Sequence, residues 1–191
     1  MYGHIPGLKV ISTCTSYDAK GLLKSAIRDD DPVVFLESEQ CYGDKEMVPE
    51  GEYLIPIGVA DVKREGTDVT IVSYNKTMKV ALNAAEELQK EGISAEVIDL
   101  RTIRPLDYET IIRSVKKTNR LVIVEEVWPF ASVGAEIGFT VMRDGFDYLD
   151  APVRRITQRD VPLPFAPNLI EASLPSPARV IEAVKSVMYL N

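Results

Sequence analysis

The chain has 191 residues, 46% hydrophobic and 27% charged, which gives room for one ordinary domain and part of another. A net charge of −7, with no basic run against it, disfavours nucleic acid and anionic membrane as partners, and no apolar stretch approaches the ~20 residues of a membrane helix. Cys14 and Cys41 have no metal-like spacing and read as free thiols, and the single histidine, His4, is too little for a Ser-His-Asp triad or a His-rich zinc site.

Residues 1–7 are turn-rich. A strand is expected over 8–11, then a helix with Ser16 as N-cap and Ala19, Leu22, Leu23, Ala26 and Ile27 on one face. It should end in Arg28-Asp-Asp-Asp31 before Pro32, and Val33–Leu36 reads as a strand buried on both faces because its apolar residues do not alternate. Two strands and a helix leave a parallel sheet without neighbours, so the first fifty residues read as the tail of a larger domain that begins before Met1. Residues 38–60, with Gly43, Pro49, Gly51, Pro56 and Gly58, read as a linker.

From residue 60 strands and helices alternate. Strands are expected at 69–74, 95–100, 121–124 and 153–156; helices at 78–90, 108–118 and 133–142, the last capped by Ser132. A proline-rich loop then leads to a final helix with Ser176 as cap and Pro177 in its first position. This grammar predicts an α/β domain with a mostly parallel sheet and helices on both faces.

Several residues invite a chemical reading. Arg101 and Arg104 stand where the strand 95–100 gives way to a helix, the edge at which open α/β sheets bind ligands; they suit a carboxylate, a phosphate or an acidic partner, or simply tie the loop to nearby acids. Glu125-Glu126 ends a strand, but neighbouring strand residues face opposite ways, which favours pairing with an arginine or capping the next helix over shared acid/base work. Asp29-Asp30-Asp31 opposes the dipole of the helix it closes, so a cation is expected nearby, either a basic side chain or a metal. His4 reads as a hydrogen-bonded loop histidine. No glycine-rich phosphate loop of either common pattern occurs.

The segments Tyr2-Gly-His-Ile-Pro-Gly-Leu-Lys-Val10, Pro32-Val-Val-Phe-Leu-Glu37, Asp99-Leu-Arg-Thr-Ile-Arg-Pro-Leu-Asp107, Val133-Gly-Ala-Glu-Ile137, Leu149-Asp-Ala-Pro152 and Asp160-Val-Pro-Leu-Pro-Phe-Ala166 follow one another in an order that resembles the β subunits of thiamine diphosphate-dependent 2-oxoacid dehydrogenases. The closest likeness is to the pyruvate dehydrogenase branch, with the acetoin and branched-chain branches and a non-catalytic docking module as rivals. The resemblance covers nearly the whole chain. It implies that residues 1–40 close a pyrimidine-binding domain, 41–59 are a linker, and 60–191 form a transketolase C-terminal-like domain.

What the resemblance implies about chemistry is decarboxylation of pyruvate with acetyl transfer to lipoyl groups, in an α2β2 assembly. Thiamine diphosphate would lie between subunits, with magnesium held by the α subunit. The family's cofactor-activating glutamate and a His-Ser-Gln motif would precede Met1, so the isolated chain is expected to be inactive. Two sites carry over: a potassium ion held largely by main-chain carbonyls at Ala26, Ile27, Asp29 and Asp31, and Asp150, which would pair with the basic subunit-binding domain of the acyltransferase. The implied location is bacterial cytoplasm or mitochondrial matrix.

Overall fold

The computed structural model describes residues 1–190. Two sheets form, one of three strands and one of five, and the chain groups into two compact units. The first unit takes residues 1–61, 74–76 and 99–107; the second takes 62–73, 77–98 and the chain from 108.

In the first unit β1 (Lys9–Ser12) is the central strand. It pairs in parallel with β2 (Val33–Leu36) and antiparallel with β6 (Thr102–Arg104). The segment 99–107, expected to be only a strand-to-helix turn, thus also donates a strand to this sheet. β2 is only partly buried, against the expectation of burial on both faces. The physical reason is its place at the sheet's edge, where one flank lacks a strand and a continuous apolar run cannot be enclosed.

Helix α1 (Ser16–Ile27) starts one residue earlier than expected, because its cap is Thr15, whose hydroxyl accepts from the Asp18 amide, and not Ser16. Ile11 and Leu22 are fully buried, and with Ile55 they make the core of this unit. Residues 52–55, read as linker, lie across α1. Tyr53 stacks on Tyr17 with ring centres 4.7 Å apart, and Ser25 Oγ donates to the Ile55 carbonyl at 2.6 Å. Gly21 makes this possible, since a Cβ there would stand 2.6 Å from Ile55 and 2.8 Å from Tyr53.

The second unit is built on a sheet of order β3-β5-β4-β7-β8, with β3 Asp61–Arg64, β4 Val69–Ser73, β5 Ala95–Asp99, β7 Leu121–Val124 and β8 Arg154–Ile156. β4, β7 and β8 run parallel. β4, β5 and β7 are buried along their whole length, as strands covered by helices on both faces should be, and the polar Thr70, Ser73, Glu96 and Asp99 are buried with them. The helices are α2 (Thr77–Lys90), α3 (Tyr108–Thr118), α4 (Val133–Gly145), α5 (Pro167–Ser173) and α6 (Pro177–Val187). α2 packs on α6, and α3 on α4. The chain steps from β4 to β5 in one direction and returns past β4 to β7, so right-handed crossovers put α2 and α3 on opposite faces. α5 falls inside the stretch read as a proline-rich loop; Pro167 occupies its first turn, where a missing N–H costs nothing.

Candidate functional site

Helix α4 and the segment behind it form the most distinctive surface of the second unit. Glu125, fully buried just past β7, accepts from Ser132 Oγ at 2.6 Å and from the Gly134 amide at 3.0 Å. Its carboxylate therefore sits on the orphan donors of the α4 N-terminus, with Arg155 at 4.0 Å as counter-charge. Both roles suggested by the sequence for this residue are present, helix capping and arginine pairing. Gly134 is required there, because a Cβ would meet Glu125 Oε1 at 2.3 Å.

With its start pinned, α4 buries Ile137 and Val141 and leaves Phe139 and Met142 exposed, followed by exposed Phe146. These line a groove of about 670 Å³ together with Gly138, Pro152 and Asp150. The backbone of Asp150 is fixed on both sides: its amide donates to the Asn119 carbonyl at 2.9 Å, and its carbonyl accepts from Tyr189 Oη at 3.1 Å. The carboxylate is 56% exposed, with Arg120 Nη2 at 3.5 Å. An acid held at the rim of an apolar groove can contribute charge selectivity to whatever the groove takes. Asp150 stands out in the sequence only through the family resemblance; Phe139 and Met142 on α4 and Phe146 just after it do not, although their spacing marks an apolar stripe separate from the buried one.

The acidic turn at the end of α1 has its cation. Lys9 Nζ lies 2.7 Å from Asp29 Oδ1 and 3.0 Å from Asp31 Oδ2. The hydrogen bond from Lys9, helped by the Asp31 amide, holds the Asp29 carboxyl below its ordinary range, and Asp29 and Asp31 raise Lys9 in turn. The Ala26 carbonyl accepts from the Asp29 amide at 3.3 Å, so α1 closes tightly into the turn. Ala26 and Ile27 in the last turn of α1, and Asp29 and Asp31 just after it, lie at this one helix end. Among the described residues no group of three or more His, Cys, Asp or Glu side chains has metal-binding geometry.

Arg101 takes the tying role. Its Nη2 lies 2.6 Å from Asp18 Oδ1 and 2.7 Å from Asp61 Oδ2, with Asp18 fully buried. Its amide donates to Asp99 Oδ1 at 3.0 Å, and its backbone is left-handed at φ 57°, a conformation that persists where neighbours over-determine it. Arg104 donates to the Gly3 carbonyl at 3.3 Å, and His4 bonds the Met1 carbonyl.

The family model described as "Transketolase, C-terminal domain" matches residues 58–180, and that described as "Transketolase, pyrimidine binding domain" matches residues 1–45. A protein of Rickettsia felis named "Pyruvate dehydrogenase E1 component subunit beta" is 58% identical over 190 residues, which is all of this chain and 58% of that protein. One of the same name from Rhizobium meliloti is 54% identical, over 98% of this chain and 41% of its own length. A mitochondrial one from Dictyostelium discoideum is 53% identical, over the whole chain and 54% of that protein. The chain thus spans about half the length of these relatives. A solved structure titled "Split gene transketolase, inactive beta4 tetramer" aligns with TM-score 0.82 and 26% identity, over 99% of this chain and 60% of that one. By fold and by sequence, the chain belongs to the transketolase C-terminal domain family, with part of a transketolase pyrimidine-binding domain ahead of it.

Proposed function

We propose that the chain works as part of the β subunit of a pyruvate dehydrogenase, the thiamine diphosphate-dependent component that decarboxylates pyruvate and passes the acetyl unit to lipoyl groups. The observation that carries this reading is the 58% identity, sustained along all of the chain, to a protein named for that subunit. Residues 1–40 would close the pyrimidine-binding domain and 41–59 would lead to a C-terminal domain over 60–191. When bound, thiamine diphosphate supplies the carbon nucleophile and the electron sink that let a 2-oxoacid lose carbon dioxide.

The chain's own contribution is positional. The main-chain carbonyls at Ala26, Ile27, Asp29 and Asp31, at the end of α1, would hold a potassium ion beside the Asp29 and Asp31 carboxylates that pair with Lys9. Asp150, on the rim of the α4 groove, would meet the basic subunit-binding domain of the acyltransferase. An α subunit would hold the diphosphate and magnesium and complete an α2β2 assembly, in the bacterial cytoplasm or the mitochondrial matrix.

Carbon dioxide release from labelled pyruvate, with a matching α subunit and thiamine diphosphate, tests the reading. The 191 residues are compared with a full-length β subunit into which they are grafted. Turnover by the graft and none by the 191 residues is the expected result. No turnover by a folded, assembled graft, or activity on a branched-chain 2-oxoacid alone, overturns the pyruvate assignment.

A further inference from the structure

The outer strand of the larger sheet carries a charge pattern that the proposed activity does not use. β8 is the last strand in the order, and beside it, against α6, lies a groove of about 930 Å³. Arg154, Arg155, Arg179 and Lys185 line it, with Glu182 the one carboxylate among its lining residues. This is a local excess of positive charge on a chain whose net charge is −7.

Two of these cations are satisfied by acids: Arg155 faces Glu125 at 4.0 Å, and Lys185 meets Glu91 at 2.6 Å. The other two have neutral partners. Arg154 Nη2 donates to Ser186 Oγ at 3.3 Å, and Arg179 Nη1 donates to the Leu174 carbonyl at 2.9 Å. Arg179 is moreover partly buried, and desolvation and then the nearby Arg159 push its pKa down from the ordinary value, against a smaller pull upward from Glu182. A guanidinium held against burial and a like charge gains from an anion more than a solvated one does.

We propose that this groove takes an extended acidic segment of a partner protein, which lies along the β8 edge with its carboxylates on Arg154 and Arg179. An outer strand offers backbone donors and acceptors at peptide spacing, and side chains of an added strand alternate toward the two faces. Arginine forks suit carboxylates bidentately. A second copy is a poor occupant, because pairing β8 with itself would set Arg154 and Arg155 against their own kind. Protection of the edge against aggregation would account for Arg154 and Arg155, which lie on the strand. It does not account for Arg179, which reaches the same groove from α6.

The test uses the 191-residue chain, isotope-labelled, and a strand-forming peptide of about eight residues alternating Glu with Val or Thr. Controls are the same peptide with Gln for Glu, a version N-methylated along one backbone edge, a short oligodeoxythymidylate, and inorganic phosphate. The acidic peptide should shift the amides of 154–157 and α6 and weaken with salt. It should lose about tenfold in affinity with Arg154→Glu and several-fold with Arg179→Gln, as expected for close charge pairs. The N-methylated peptide should bind more weakly. Circular dichroism confirms that each variant is folded; Arg179→Gln, which keeps a polar side chain, serves alone if the Glu variant is not. No binding, equal binding of the Gln peptide, shifts confined to other surfaces, or tighter binding of the oligonucleotide or phosphate would each overturn the proposal.

Discussion

Lys9 shows how one side chain decides the character of a whole turn. Three consecutive aspartates at a helix C-terminus oppose its dipole, and the ammonium of Lys9, reaching from β1, offsets Asp29 and Asp31. Because the pKa of Asp29 is lowered in the folded chain, its share of stability is present above the ordinary aspartate value of 3.8 and is lost as pH falls through the folded value. Lys9→Met should raise the Asp29 midpoint toward 3.8 in a carboxyl-carbon NMR titration. An unchanged midpoint would mean that the Asp31 amide and not Lys9 holds the carboxylate. The need for a cation was legible in the sequence. Which cation answers it was not, since Lys9 and Asp29 meet only once β1 lies beside the end of α1.

At the scale of elements, two of the three glycines of α4, Gly134 and Gly138, look equivalent in sequence and are not. A Cβ on Gly134 would collide with the Glu125 carboxylate at 2.3 Å and approach Ile123 at 3.1 Å, while one on Gly138 would only touch Val153 at 4.0 Å. Gly134→Ala should therefore destabilise by about 1–3 kcal/mol through overpacking and displacement of the capping carboxylate. Gly138→Ala should be neutral or stabilising by up to about 1 kcal/mol through helix propensity. Urea unfolding of the two variants side by side checks this, and equal effects would show that the Glu125 cap does not set the position of α4. The helix itself was readable from its periodicity and its Ser132 cap. Its anchor was half readable: position 125 ends a strand and faces one way, but which group it meets depends on the return of the chain.

For the whole molecule, the proposed docking of a basic partner at Asp150 would be favoured by the net charge of −7 and by the exposure of that carboxylate. Charge complementarity of this kind acts mainly on association rate and is screened by salt. Asp150→Asn should leave thermal stability within about 0.5 kcal/mol, since its ion pair with Arg120 is exposed and long. The same change should slow association with a basic subunit-binding domain at low ionic strength, and the difference should vanish at high salt. Stopped-flow rates at several salt concentrations measure it; identical rates for the two proteins would remove Asp150 from the docking surface.

Local chemistry made much of this protein readable in advance. Apolar runs of strand length, helical periodicity, and Ser and Pro at helix starts place β4, β5, β7, α2, α3 and α6 within a residue or two, because each signal acts between near neighbours. What depends on distant partners was settled only by the fold. Thr102–Arg104 becomes a strand because β1 offers it an edge, and residues 52–55 cover α1 because Gly21 leaves space for them. Arg101 becomes a buried tie because Asp18 and Asp61, far apart in the chain, converge on its guanidinium. A charge in the sequence has a sign and a place along the chain; the folded structure alone determines what stands opposite it, and at these distances the opposing group decides between structure and function.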